Sequence, residues 1–134
     1  MTEPKVTIEL EDGRRAFRPG ETLTVSYRVD SLSLADPKAV EASVLWHTEG
    51  QGDEDMVVHF FERHEADDAN PVDFRQTRTL STELPNSPLS YDGVIVKIHW
   101  LVRVRVFLVR GRDFVAEQPF RLGAVPAPVM AEST

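Results

Sequence analysis

Val96, Ile98, Trp100, Val102, Val104, Val106 and Leu108 occupy alternate positions, with Lys97, His99, Arg103 and Arg105 between them. A period of two places the apolar set on one face of an extended strand, whereas a helix would scatter it around its surface. A strand this long with one apolar face needs a second layer to bury it. Arg110, Gly111 and Arg112 turn the chain, and Phe114, Ala116, Phe120 and Leu122 resume the even register. Pro119 marks a bulge or an unpaired edge position, because it has no N–H to give to a ladder. If both apolar faces point to one core, paired residues share parity and the hairpin loop holds an odd number of residues. A loop made of residues 110–112 sets Arg105 opposite Glu117 and Trp100 near Leu122.

The remaining segments read the same way. Val6, Ile8 and Leu10 alternate with polar neighbours and run into Glu11-Asp12-Gly13, an Asp-Gly turn signal. Phe17 lies in a short extended piece before the turn Arg18-Pro19-Gly20-Glu21, and Leu23, Val25, Tyr27 and Val29 mark a clear strand. Val40, Ala42, Val44 and Trp46 form the buried face of the next. Met56-Val57-Val58-His59-Phe60-Phe61 is apolar on both faces, so it is expected to be sandwiched or covered. Val72, Phe74, Leu80 and Leu84 outline a weaker, partly polar strand, and Tyr91-Asp92-Gly93 turns into the long strand. The expectation is an all-β fold: a seven-stranded, antiparallel, two-sheet sandwich with immunoglobulin-like Greek-key connections. Residues 1–123 make one domain, and 124–134, lacking periodicity, form a flexible tail.

Composition removes several function classes. The net charge of −7 argues against general nucleic-acid binding, which needs a positive field to displace counterions. With no cysteine there are no disulfides, thiol nucleophiles or thiolate metal sites, and the immunoglobulin Cys-Trp-Cys core is excluded. No apolar run approaches a membrane span and the N-terminus has no signal-like region, so a cytoplasmic location is expected.

Three segments together resemble the arrestin-fold family. Phe17-Arg18-Pro19-Gly20-Glu21-Thr22-Leu23 resembles the family's aromatic residue followed by Pro-Gly-Glu at the start of its second strand. Ser90-Tyr91-Asp92-Gly93, running on through Val96, Ile98 and Trp100, is similar to its Ser-Tyr-x-Gly strand. Glu117-Gln118-Pro119-Phe120-Arg121-Leu122 is similar to its closing strand. The segments come in the family's order, and the match runs over roughly residues 5–123. The resemblance implies a β-sandwich that binds partners, as in arrestins, the retromer arrestin-like subunit and arrestin-type sporulation-control proteins. Arrestins carry two such sandwiches. With one here, the phosphate-sensing interdomain core of the receptor arrestins is expected to have no place to form.

The most distinctive polar feature is the set Lys97, His99, Arg103 and Arg105, which repeats along about 27 Å of one strand face at about 3.4 Å per residue. In an acidic protein such a stripe suits an acidic or phosphorylated partner. The competing reading is cross-strand ion pairing, each exposed pair worth about 0–1 kcal/mol. Leu101 and Phe107 share this face, so a partner or flanking segment is expected to cover part of it. His47, His59 and His64 do not converge with His99 in the metal-site sense. His59 and His64 are five apart and face opposite ways on a regular strand, and His47 faces Met56 or its neighbour. The acidic loops around Asp53-Glu54-Asp55 and Glu65, Asp67 and Asp68 lack the spacing of a calcium loop. No nucleophile elbow or phosphate cradle is present. The expected function is therefore non-enzymatic, without metal or cofactor. It is a protein-binding or scaffold module acting through the basic face or a sheet edge, including self-pairing of edges. The alternative is a small-ligand or carbohydrate-binding sandwich or an enzyme's accessory domain. The core parity of Trp46 and Trp100 counts against sugar binding, which uses exposed aromatics.

Overall fold

The computed structural model describes residues 5–30, 37–50, 52, 54–65, 73–109 and 113–123. The strands are β1 (Val6–Leu10), β2 (Ala16–Phe17), β3 (Thr22–Val29), β4 (Pro37–Gly50), β5 (Met56–Glu65), β6 (Arg78–Glu83), β7 (Tyr91–Asp92), β8 (Val96–Leu108) and β9 (Phe114–Leu122). The expected seven are joined by two short ones, β2 and β7. One sheet has the order β1-β3-β6; the other runs β2-β9-β8-β4-β5, with β7 also paired to β8. Pairing is antiparallel except between β2 and β9. The Asp-Gly turn forms as a short 3-10 turn, with Asp12 and Gly13 both at positive φ (58° and 67°).

The core lies between the sheets and is built from the even-numbered face of β8 and β4 against the odd-numbered face of β3. Val102, Val104 and Val106 meet Leu23, Val25, Tyr27 and Val29, with Phe17, Leu80, Leu84, Phe120 and Leu122 closing the ends. Trp100 is 1% exposed and stacks near Phe120, which meets Phe17 edge to face.

Two of the expected strand placements need correction, and the choice left open at Pro119 is decided. In the β8–β9 register Arg103 faces Glu117, Arg105 faces Val115 and Trp100 faces Phe120. The expected pairing was two residues off. A two-residue slip keeps every side chain on its own face, so alternation alone could not detect it. Residues 110–112, expected to form the loop, lie outside the described residues, as do 124–134. Pro119 sits opposite Leu101 without a register shift. It therefore makes no bulge; β2 joins β9 only at Arg121 and Leu122, so Pro119's far side is an unpaired edge position.

Segment 56–61 is neither sandwiched nor covered among the described residues. It opens β5, the outermost strand, and Met56, Val57, Val58 and Phe61 are 43–55% exposed. Alternation fails there because a bulge between Val44 and Leu45 shifts the β4–β5 register. A bulge puts two residues of one strand against one of the other and resets which side chains face in.

Candidate partner-binding face and edge

The outer face of the larger sheet carries the basic stripe. Lys97, His99, Arg103 and Arg105 share it with odd-numbered residues of β4, and the structure gives three of the four an acidic partner. Lys97 lies 3.6 Å from Asp92, its direct neighbour in register on β7, and His99 Nε2 lies 2.8 Å from Glu49 Oε1. Arg103 donates to Glu117 Oε2 at 2.7–2.8 Å. Arg105 has no ion pair among the described residues; its guanidinium lies 5.8 Å from the Phe107 ring. The ladder thus supplies most of these positive charges with a neighbour of opposite sign, and the stripe presents little free field.

Arg103 also points its other arm at Met56, with Nη1 3.6 Å from the sulfur. In register Arg103 faces Ser43 and Met56 faces His47, so this arm crosses β4 over Leu45, which lies between them. That explains why Leu45 and Leu101, paired on this outer face, are only 1% and 6% exposed: the cover expected there comes from the sheet's own Arg103. Arg103 spans from β9 to β5 and roofs an apolar stripe with its stem.

The histidines do not converge. His47 faces Met56 on one side and His99 on the other, where the two rings stack 5.1 Å apart. His59 turns toward the smaller sheet: Nε2 lies 2.8 Å from Glu83 O and the ring meets Trp100 edge-on. His64 Nε2 lies 3.2 Å from Glu62 Oε2, and Glu62 also accepts the Tyr27 hydroxyl. The bulge puts His59 and His64 on the same side, contrary to simple parity. Burial, and then donation to Glu62, pushes the Tyr27 hydroxyl well above the ordinary phenol range. Among the described residues no group of three or more His, Asp or Glu is placed to hold a metal ion. Of the expected acidic loops, Asp53, Asp67 and Asp68 lie outside the described residues.

Sequence reading expected a sheet edge but did not say which strand forms it; the structure places β5 there. Among the described residues β5 pairs only with β4, leaving its other side open. Its first half is apolar and exposed. Its second half carries Arg63, tied to Glu41 at 2.5 Å and to Glu65 at 2.8 Å. Natural edges are usually blunted by charge, proline or bulges. Here charge guards the Glu62–Glu65 end and the bulge interrupts the middle.

No protein-family model matches the sequence, and no curated protein does. Solved structures do. The chain is similar to Spo0M, a sporulation control protein from Bacillus subtilis, with a TM-score of 0.62 and 13% identity over 93% of this chain. The fold is arrestin-like. The chain spans about half of that structure's length, 51%.

Each family-like segment has a physical task in this arrestin-like sandwich. In the Pro-Gly-Glu turn, Gly20 takes φ 84°, a conformation costly for residues with a Cβ. Glu21 accepts the Arg18 N–H at 2.6 Å and two bonds from Arg14 at 2.9 and 3.1 Å. The Arg14 bonds, and then the Arg18 backbone, hold the Glu21 carboxyl down at about 2. Ser90 ties the start of β7 to β9 twice: its N–H donates to Leu122 O at 2.7 Å, and its Oγ accepts the Leu122 N–H at 2.8 Å. Glu117 pairs with Arg103, while Phe120 and Leu122 enter the core.

Proposed function

We propose that this chain is a non-enzymatic protein-binding module that takes an extended partner segment onto the open edge of β5. The observation that carries the reading is the exposure of Met56, Val57, Val58 and Phe61 on a strand with one free side. An added strand would gain main-chain hydrogen bonds from that edge, with affinity from the ladder and selectivity from alternate side chains. The partner's outward side chains would lie beside Met56, Val58 and Phe61. The likeness to a sporulation control protein supports a role in recognition and regulation rather than chemistry, and it comes from the fold alone. The buried state of Trp100 and the half-buried state of Trp46 argue against the carbohydrate alternative. The basic stripe is the weaker docking surface, since Lys97, His99 and Arg103 each have an acidic partner and Arg105 lies opposite Glu41 in register.

The test is affinity capture from host lysate with wild type, Val58→Lys/Phe61→Lys and Arg103→Glu/Arg105→Glu. A protein retained by wild type and lost only by the β5 variant supports edge recognition. Loss only in the arginine variant moves the site to the basic face. Equal capture by all three overturns both.

A further inference from the structure

The β7–β8 hairpin breaks the usual turn chemistry. The Gly93 N–H donates to Val96 O at 3.1 Å, closing a hairpin whose two apex residues are Val94 and Ile95. The long strand was expected to follow Tyr91-Asp92-Gly93 directly; the turn instead lies one step further on, and β8 starts at Val96. Two-residue hairpin loops favour Asn-Gly, Asp-Gly or Gly-x, and β-branched residues are poor choices there. Yet Val94 is 103% exposed and Ile95 70%, the two most exposed large apolar residues among those described. Neither local propensity nor packing accounts for them, and such conflicts concentrate at functional positions.

The apex is held firmly. A Cβ on Gly50 would lie 2.3 Å from Ile95 O, so the end of β4 reaches the hairpin backbone to backbone. A Cβ on Gly93 would lie 2.3 Å from the Tyr91 ring, which therefore folds against the hairpin neck while 55% exposed. Of the nearby charges, Lys97 is paired with Asp92 and His99 with Glu49, while Glu54 and Asp55, just beyond Gly50, are exposed acids that leave this end of the sheet net negative. The result is a braced, convex, uncharged tip of two aliphatic side chains above a tyrosine, a residue suited to the water–lipid interface. Two protruding residues are far short of the roughly 800 Å² per partner of a stable protein interface. A few inserted apolar side chains contribute to reversible lipid binding in proportion to the area buried.

We propose that the Val94–Ile95 apex is a lipid-inserting tip that seats this domain on a zwitterionic membrane surface. The driving force is apolar insertion, and the chain's net charge of −7 opposes anionic surfaces. This site is separate from the β5 edge and does not rest on it. The test is flotation of the full chain with phosphatidylcholine vesicles, with and without phosphatidylserine. It is run on wild type, Val94→Asp/Ile95→Asp and the exposed-face control Val115→Asp. Wild type and control are expected to float with phosphatidylcholine, unaffected by salt and less well with phosphatidylserine, and the tip variant to bind at least about tenfold more weakly. Because the chain has no cysteine, Ile95→Cys and Val115→Cys can each carry one environment-sensitive dye. Emission should shift to the blue with vesicles only for the label at 95. Absence of wild-type flotation, binding that requires phosphatidylserine, binding unchanged in the tip variant, or equal dye responses at both positions would each overturn the proposal.

Discussion

Replacing Trp100 by alanine tests the core assignment most directly. Trp100 is 1% exposed, its ring lies 5.9 Å from Phe120 and 6.0 Å from His59, and Nε1–H donates to Pro88 O at 2.8 Å. A large aromatic buries about 150–250 Å². At about 25 cal/mol per Å² that is about 4–6 kcal/mol, an upper figure because the unfolded chain is already partly collapsed. The alanine methyl retains about 0.8 kcal/mol of it. The expected loss is therefore about 3–5 kcal/mol, the range measured for buried aromatic truncations. Urea unfolding followed by far-ultraviolet circular dichroism and by Trp46 emission reads it. A domain of ordinary stability has only about 5–15 kcal/mol to lose, so Trp100→Phe serves as the milder probe. It keeps most of the area, loses the bond to Pro88 and should cost about 1–2 kcal/mol. A loss below about 1 kcal/mol for Trp100→Ala would mean that the even-numbered face of β8 is not the core. Trp46→Ala, at a half-buried site, should cost less than Trp100→Ala; the reverse order would refute the same reasoning.

Arg103→Glu/Arg105→Glu should leave the fold intact but cost about 1 kcal/mol, since it sets carboxylates opposite Glu117 on β9 and Glu41 on β4 and unroofs Leu45. Adding Glu117→Arg should recover part of that loss in urea unfolding, and no recovery would mean that the Arg103–Glu117 pair is incidental. Glu21 gives a pH signature. Its folded carboxyl is depressed to about 2, so its contribution is complete above the unfolded value near 4.5 and fades as pH falls toward 2. Glu21→Gln should lower Tm at about pH 6 and flatten the Tm–pH slope between pH 4.5 and 2; an unchanged slope would dismiss the Arg14–Glu21 coupling. Gly50→Ala should force the β4 end away from Ile95 O and lower Tm, without altering the face that Trp100 occupies.

Fold class was legible because burial imposes a period of two on every strand with one wet face, and β3, β4, β8 and β9 each show it. The Pro-Gly-Glu and Asp-Gly turns were legible because left-handed backbone needs particular residues. The register of β8 on β9 was not legible, since a slip of two residues leaves the pattern unchanged and only packing among Trp100, Phe120 and Phe17 pins it. The candidate basic face was legible as a row of charges but not as a paired one, because Glu49, Asp92 and Glu117 lie on other strands. Arg103's reach over Leu45 to Met56 needs three neighbouring strands to exist at all.

The sequence by itself determined that this chain forms a sandwich, which residues fill it, and where several turns fall. These follow from local backbone preference and from the alternation of polar and apolar side chains. The tertiary structure decided which strand lies at the edge, that the bulge turns His59 inward, and that Val94 and Ile95 stand bare at a hairpin apex. Those depend on strand order and neighbour contacts, and one strand's residues carry no record of what is missing beside it.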